Sequence, residues 1–460
     1  MQDRRKLTDA QINEDLCRSV ERTPLGFWVL AGILALWIGV GLFALGLILY
    51  WGLGFTGLDR PVMWAFMITN FVFWVGISHA GVMISSILRL SHAEWRRPVT
   101  RAAEVLTVFA LSTAALMPII HVGRPWRVIY WALPYDFTRG IWPNIRSPLI
   151  WDPAAITTYL TGAALFIYTT LLPDLAVLRD RARGKRPLRH RFYAMLCLGW
   201  RGSSRQWRLQ GLAGILLSAI ILPVFVSVHS IVSWDFAVAL VPAWHATIFA
   251  PYFVIGAIHS GVSAVVTLMA LMRRFFHLEN YITPDHFDAL GRLLIAVALG
   301  WFYFFFVDFI FGLYSQETAE VAVMELRLSR WPYNFLFAIF ITTAFLIPVP
   351  LWFLRKVRRS PLLMFITTLL VNIGMWLERF LLFVPSLAYK QPLTFSWGEY
   401  AVSFAEVAMV SATFALVGMG ILLFSKLFPL VPLSDQKEGQ RLQDEIATGK
   451  RKVPAVIRED

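Results

Sequence analysis

Gly76-Ile-Ser-His-Ala-Gly-Val82 and Gly256-Ala-Ile-His-Ser-Gly-Val262 repeat one pattern 180 residues apart. Each places a single histidine among small residues in the middle of a long apolar run. The agreement extends outward through Trp64/Trp244, Phe73/Phe253 and Leu88/Leu268. Small residues beside each histidine let neighbouring helices approach closely, as membrane helix packing requires. A match of this kind at a fixed offset reads as an internal duplication.

The surrounding chain gives the repeat its setting. It has 460 residues, of which 57% are hydrophobic and 15% charged, and its mean hydropathy is +0.61. Those values describe a polytopic membrane protein and exclude a soluble domain of ordinary composition. A helix needs roughly 20 apolar residues to cross a bilayer. Ten stretches qualify: about 27–51, 61–88, 102–121, 153–178, 209–232, 247–272, 293–313, 332–354, 361–383 and 398–425. The predicted fold is therefore all-α, with two parallel-repeated four-helix bundles, about 61–232 and 247–383, and the first and tenth helices at the flanks. Residues 1–26 read as a polar cytoplasmic leader without a signal-peptide core, and residues 426–460 as a cytoplasmic tail.

The net charge of +13 is a topology signal. With both termini inside, the inner segments hold 33 of the 42 Lys and Arg residues, the outer loops hold 8, and Arg379 lies within a helix. This asymmetry places both termini in the cytoplasm and argues against nucleic acid as the partner. The two cysteines, Cys17 and Cys197, form no cluster-binding or haem-attachment spacing. No metal site is expected in the chain.

Ionisable residues gather near the outer ends of the spans, where charge in hydrocarbon is costly and usually functional. His121 closes the third span and opens His-Val-Gly-Arg-Pro-Trp-Arg, with Arg124 and Arg127 following. Asp152 precedes Pro153 and reads as the N-cap of the fourth helix, which leaves room for a second role. His229 and Asp235 end the fifth span at one surface, and His245 begins the sixth. Asp308 lies in the seventh span, and Glu378 and Arg379 in the ninth. Neighbours on a helix point about 100° apart, so Arg379 need not pair with Glu378; Asp308, Asp235 and Asp152 are the other partners. His79 and His259 sit near mid-membrane, where a neutral buried imidazole, a proton relay and a bis-histidine haem site all remain open. Glu104 and Asp174 lie in the inner half. Glu406 has no evident partner.

A quinol has an apolar tail and two hydroxyls that lose protons on oxidation. His121, Asp152 and Asp235 have the chemistry to accept them, and Arg379 to orient an oxygen. No redox centre is encoded here, so the electron acceptor belongs to an extracytoplasmic partner. Two rivals stand beside this reading: a secondary transporter with an intramembrane proton relay, although its repeats are often inverted, and a haem-b anchor ligated by His79 and His259.

At His-Val-Gly-Arg-Pro-Trp (121–126), Trp-Asp-Pro (151–153), His-Ser-Ile-Val-Ser-Trp-Asp (229–235) and Trp-Leu-Glu-Arg-Phe (376–380), the chain resembles the NrfD/PsrC family of quinone-interacting membrane subunits. Within that family it is similar to the ActC branch of bacterial alternative complex III. The resemblance covers nearly the whole chain and is specific only when the segments are taken together. It implies (mena)quinol oxidation near the extracytoplasmic face of a bacterial inner membrane, with His121, Asp152, Asp235, Arg379 and His229 around the quinol head. It implies a [3Fe–4S] cluster in a docked iron–sulfur subunit, haem c in cytochrome c subunits and a second NrfD-like membrane subunit. Coupled proton movement would involve His79, His259, Asp308 and Glu378.

Overall fold

In hydrocarbon a backbone must satisfy its own hydrogen bonds, so long apolar runs become helices. The computed structural model describes residues 7–59, 61–121, 123–127, 146, 148–389, 397–441, 445–448 and 451–454. Ten helices among them are long and apolar enough to cross a membrane. After the short polar helix α1 (Asp9–Glu21), the first five are α2 (Leu25–Trp51), α3 (Ala65–Leu90), α4 (Thr100–His121), α5 (Pro148–Ala182) and α7 (Ser204–Ala237), with α6 (Pro187–Leu196) as a surface helix before the last. The next are α8 (Phe249–Phe275) and α9 (Pro284–Ser315), followed by the short α10 (Thr318–Ser329). The eighth span begins as α11 (Tyr333–Ile341), passes through a π-helical turn at Thr342–Leu346 and ends as α12 (Pro348–Phe353). The π turn stands where Pro348 offers no amide hydrogen to the preceding turn. A short α13 (Arg355–Arg358) leads to α14 (Pro361–Ala388) and α15 (Phe404–Leu427), and α16 (Leu433–Arg441) lies beyond the spans.

The core is built of helices. Among the described residues the strands are confined to the tail, where β1 (Glu445–Thr448) pairs antiparallel with β2 (Arg451–Pro454). The first six residues, most of the 122–152 loop and the last six residues fall outside the described residues.

Helix α3 is the hub, with 94% of its most apolar window buried. It packs on α4 and α7, and α5 closes the ring by touching both. Helix α8 in turn packs on α9 and α14, with the eighth span against α14. The repeated small residues mark the crossing of α3 and α8. A Cβ on Gly261 would run into Ala80 and come 3.0 Å from the Ile77 carbonyl, whereas one on Gly76 would meet Ala257 at an ordinary 3.6 Å. Helices α2 and α15 pair with each other at the flank.

Several boundaries differ from the expected ones. Helix α5 starts at Pro148, so Asp152 lies inside its first turns and is not the N-cap. Helix α8 starts at Phe249, which leaves His245 in the preceding loop. Glu406 has partners after all: Ser403 and Glu406 form a capping box at the start of α15. Its carboxylate also accepts from the Gly57 amide at 2.9 Å and the Tyr400 hydroxyl at 2.8 Å. The Ser-x-x-Glu spacing carried that signal.

Most Lys and Arg gather toward one end of the molecule, the basic end. There α1 is capped by Thr8 and Gln11 and pinned by Glu21, whose carboxylate takes two Arg181 hydrogen bonds at 2.7 and 3.0 Å. Arg181 holds the Glu21 carboxyl below the usual range.

Candidate functional site

The carboxyl groups of Asp152 and Asp235 face each other from two helices at the end of the α3–α4–α5–α7 ring opposite the basic end. Asp152 is buried and Asp235 half-buried. Two carboxyls this close resist ionising together, so the geometry suits the pair to act as a unit toward protons. The Oδ1 of each has no hydrogen-bond partner among the described residues. Helix α4, which packs on α5, ends at His121. The His121 ring stands 6.1 Å from Trp64 and 6.2 Å from Phe71, and its Nδ1 has no partner among the described residues. Trp64 and Ala65 hold positive φ angles of 68° and 31° at the head of α3, a conformation that side chains other than glycine adopt at a cost. Gly123 follows His121 with φ 75°, where glycine is the natural choice.

His229 is not at the same surface as Asp235. Six residues of helix separate them, roughly 9 Å along the axis and about 240° around it. His229 therefore points into the bundle interior, fully buried, with its ring 4.8 Å from that of His79. His79 donates from Nδ1 to the Val75 carbonyl and stacks on Tyr159 with ring centres 4.5 Å apart. The Nε2 of His79 and both nitrogens of His229 lack partners among the described residues.

His259 turns the other way, into the second group of helices, 5.5 Å from Trp301 and 6.4 Å from Trp352. The two mid-membrane histidines thus face different sets of helices. They do not converge on one gap, which removes the geometry a bis-histidine haem needs.

Arg379 pairs with its neighbour after all. Its Nε lies 3.2 Å from Glu378 Oε2, and both residues are buried. The 100° between adjacent positions is bridged by two long, flexible side chains. The guanidinium also covers the Phe253 ring at 4.2 Å, and Glu378 accepts a hydrogen bond from the Tyr252 hydroxyl. Phe253 stands between Arg379 and His229, whose ring is 6.0 Å away. Arg379 makes no direct contact with Asp152 or Asp235 among the described residues. Asp308, on α9, senses the charges of Arg327, Glu320 and Glu378. Arg327, on α10 outside the spans, bonds Ser386 at 2.8 Å, and burial pushes its guanidinium below the usual range.

Matching these sites to known families gives one long agreement: residues 54–389 fit the polysulphide reductase NrfD family. The chain belongs to the NrfD family. Among relatives, this NrfD-family chain is 28% identical to a Halobacterium salinarum protein named as a dimethyl sulfoxide reductase membrane subunit, over 57% of the chain and 55% of that relative. It therefore spans about half the length of that protein. It is 24% identical to a selenate reductase subunit of Mesobacillus selenatarsenatis, over 90% of the chain and 95% of the relative. It is also 21% identical to the integral membrane subunit of menaquinone reductase from Nitratidesulfovibrio vulgaris, over 93% and 96%.

The half of the same ring toward the basic end holds residues that sequence alone marks singly or not at all. Glu104 accepts from Ser85 at 2.7 Å and Thr170 at 3.0 Å. Arg101, fully buried, bonds Asp174 at 3.0 Å and lies 3.8 Å from Glu104. Thr107 and Tyr159 both donate to the Ser78 carbonyl, at 2.8 and 3.2 Å. With Asp152, Asp235, His229 and His79, these side chains mark a broken polar column along the first ring. Arg101 did carry a signal in the sequence, as a lone cation at the start of an apolar run.

Proposed function

We propose that this chain is the quinol-binding membrane subunit of a multi-subunit redox complex, working in the quinol-oxidising direction at the Asp152–Asp235 end of the first helical ring. The carboxyl pair carries the reading. Two acids from different helices face each other at the mouth of an apolar bundle, beside the helix that ends in His121. An apolar tail fits between such helices, and the head meets the acids. The menaquinone reductase name of one relative supports a menaquinol-type substrate.

In this reading a quinol gives up two protons and two electrons and leaves as quinone. One proton goes to the Asp152–Asp235 pair and the other to His121 Nδ1, and both pass to the water at that face. The electrons leave to a [3Fe–4S] cluster of an extracytoplasmic iron–sulfur subunit and on to haem c in cytochrome c subunits. Arg379 acts from behind Phe253 on the charge balance of the site, and not by touching the quinol head. The polar column through His229, His79, Glu104, Arg101 and Asp174 is the route for coupled proton movement. Glu378, Asp308 and His259 form a separate set in the second group of helices. The complex is of the alternative complex III type, with this chain in the ActC position beside a second NrfD-like subunit. It lies in a bacterial inner membrane with both termini in the cytoplasm.

The test is quinol-dependent reduction of an electron acceptor by the purified complex. His121→Ala and Asp152→Asn lose most of the rate while the subunits still co-purify. Wild-type turnover in both variants overturns the proposal.

A further inference from the structure

The polar column ends, toward the basic end, on a segment that belongs to none of the spans. Asp174 is fully buried. Its Oδ2 pairs with Arg101, while its Oδ1 accepts the backbone amides of Leu433 and Ser434 at 3.2 and 3.3 Å. Those amides open α16, so a helix N-terminus points at a buried carboxylate, an arrangement that favours the negative charge. Arg101 also reaches the Pro429 carbonyl at 3.3 Å. Leu430, Val431 and Leu433 are buried around this contact. The inner end of the column is thus completed by backbone supplied from residues 429–434.

The outer side of the same segment is held differently. Arg96 pairs with Asp435 at 3.1 Å, and Arg97 with Glu438 at 2.9 Å and the Asp435 carbonyl at 2.7 Å. Arg96 and Arg97 lie on the short connection between α3 and α4. Glu438 is largely exposed, whereas Arg97 is buried and Arg96 and Asp435 are mostly covered, so only the Glu438 end of the clasp meets water, where such pairs are weak and screened by salt. A tight buried contact is therefore fastened by a clasp whose outer end lies open to water and salt.

We propose that residues 429–441 form a releasable plug over the basic-end mouth of the first ring. Docked, the plug keeps Arg101 and Asp174 paired and water away from Glu104. Released, it opens the column to the aqueous phase on that side. The link to proton movement rests on the proposed quinol chemistry of the ring; the plug itself does not.

The experiment uses the whole complex in liposomes, with Cys17→Ala and Cys197→Ala as background and Ser85→Cys as a reporter beside Glu104. A small charged methanethiosulfonate reagent is applied, and labelling and proton leak are followed together. Leu433→Pro removes the amide that Asp174 accepts, at a first helical position where proline is tolerated; Leu433→Ala controls for lost packing. Asp435→Asn with Glu438→Gln opens the clasp, and truncation after Phe428 removes the plug outright. The expected result is labelling about tenfold faster in Leu433→Pro than in Leu433→Ala, the change that a ~1.4 kcal/mol easier opening gives, and faster still in the truncation. Faster labelling with a proton leak supports both the plug and the proton route. Faster labelling without a leak keeps the plug and sinks the proton route. Labelling unchanged in the truncation and in Leu433→Pro overturns the plug.

Discussion

Replacing either acid of the Asp152–Asp235 pair tests the site through its defining property, two carboxyls acting as one proton acceptor. Asn at either position keeps size and can still hydrogen-bond to the remaining acid, but cannot take a proton from a quinol. A positioned general base contributes roughly 10²–10⁴-fold to rate. Asp152→Asn and Asp235→Asn should each lower the turnover of quinol oxidation by at least about 100-fold. Because the two acids lie against each other and are proposed to act as one acceptor, their effects should not add. Residues that work as a unit lose nearly everything with the first change, so the double variant should fall within about threefold of the worse single one. The assay is steady-state quinol oxidation by the intact complex, with thermal melting in detergent as a check on folding. Two single variants that melt lower yet turn over at the wild-type rate would make the pair a helix staple and end its role as a base. Additive losses would remove the shared-acceptor part alone.

Three further outcomes follow from the packing. Gly261→Ala should destabilise the protein by about 1–3 kcal/mol through overpacking of the α3–α8 crossing, since its Cβ would strike Ala80. Gly76→Ala should be close to neutral in the same melt. Arg379→Ala leaves buried Glu378 without its ion partner and should cost about 3–5 kcal/mol; adding Glu378→Gln should recover part of it. Burial pushes the Cys17 thiol up to about 12. Iodoacetamide at pH 8 should therefore leave Cys17 unmodified in the folded complex, the reverse of what an exposed thiol would do, and mass spectrometry of the peptide reads the outcome.

Hydropathy made the ten spans legible, because crossing a bilayer demands length and apolarity, both local properties. Asp152 and Asp235 were legible as neighbours because each stands near the end of a span at the same face. That their carboxyls would face each other was not, since it depends on how α5 and α7 are rotated. His229 was misplaced to the rim when distance from Asp235 was judged along the sequence, without the 240° turn between them. The pairing of Glu378 with Arg379 stayed one option among several because helical angle describes Cβ directions and not the reach of long side chains. Glu104, Arg101 and Asp174 meet across two helices about 70 residues apart, a relation that no period in the sequence records. The Ser403–Glu406 cap, by contrast, stood in plain view as a short motif.

Everything proposed for the first ring depends on a quinol head lying against Asp152 and Asp235 at its mouth. Photo-crosslinking of the intact complex with an azido-quinone, followed by peptide mapping, locates that head without relying on turnover. Label is expected on the end of α4 at His121, the start of α5 around Asp152 and the end of α7 around Asp235, with excess menaquinol competing it away. Competable label confined to α8, α9 or α14, or to another subunit, would contradict it.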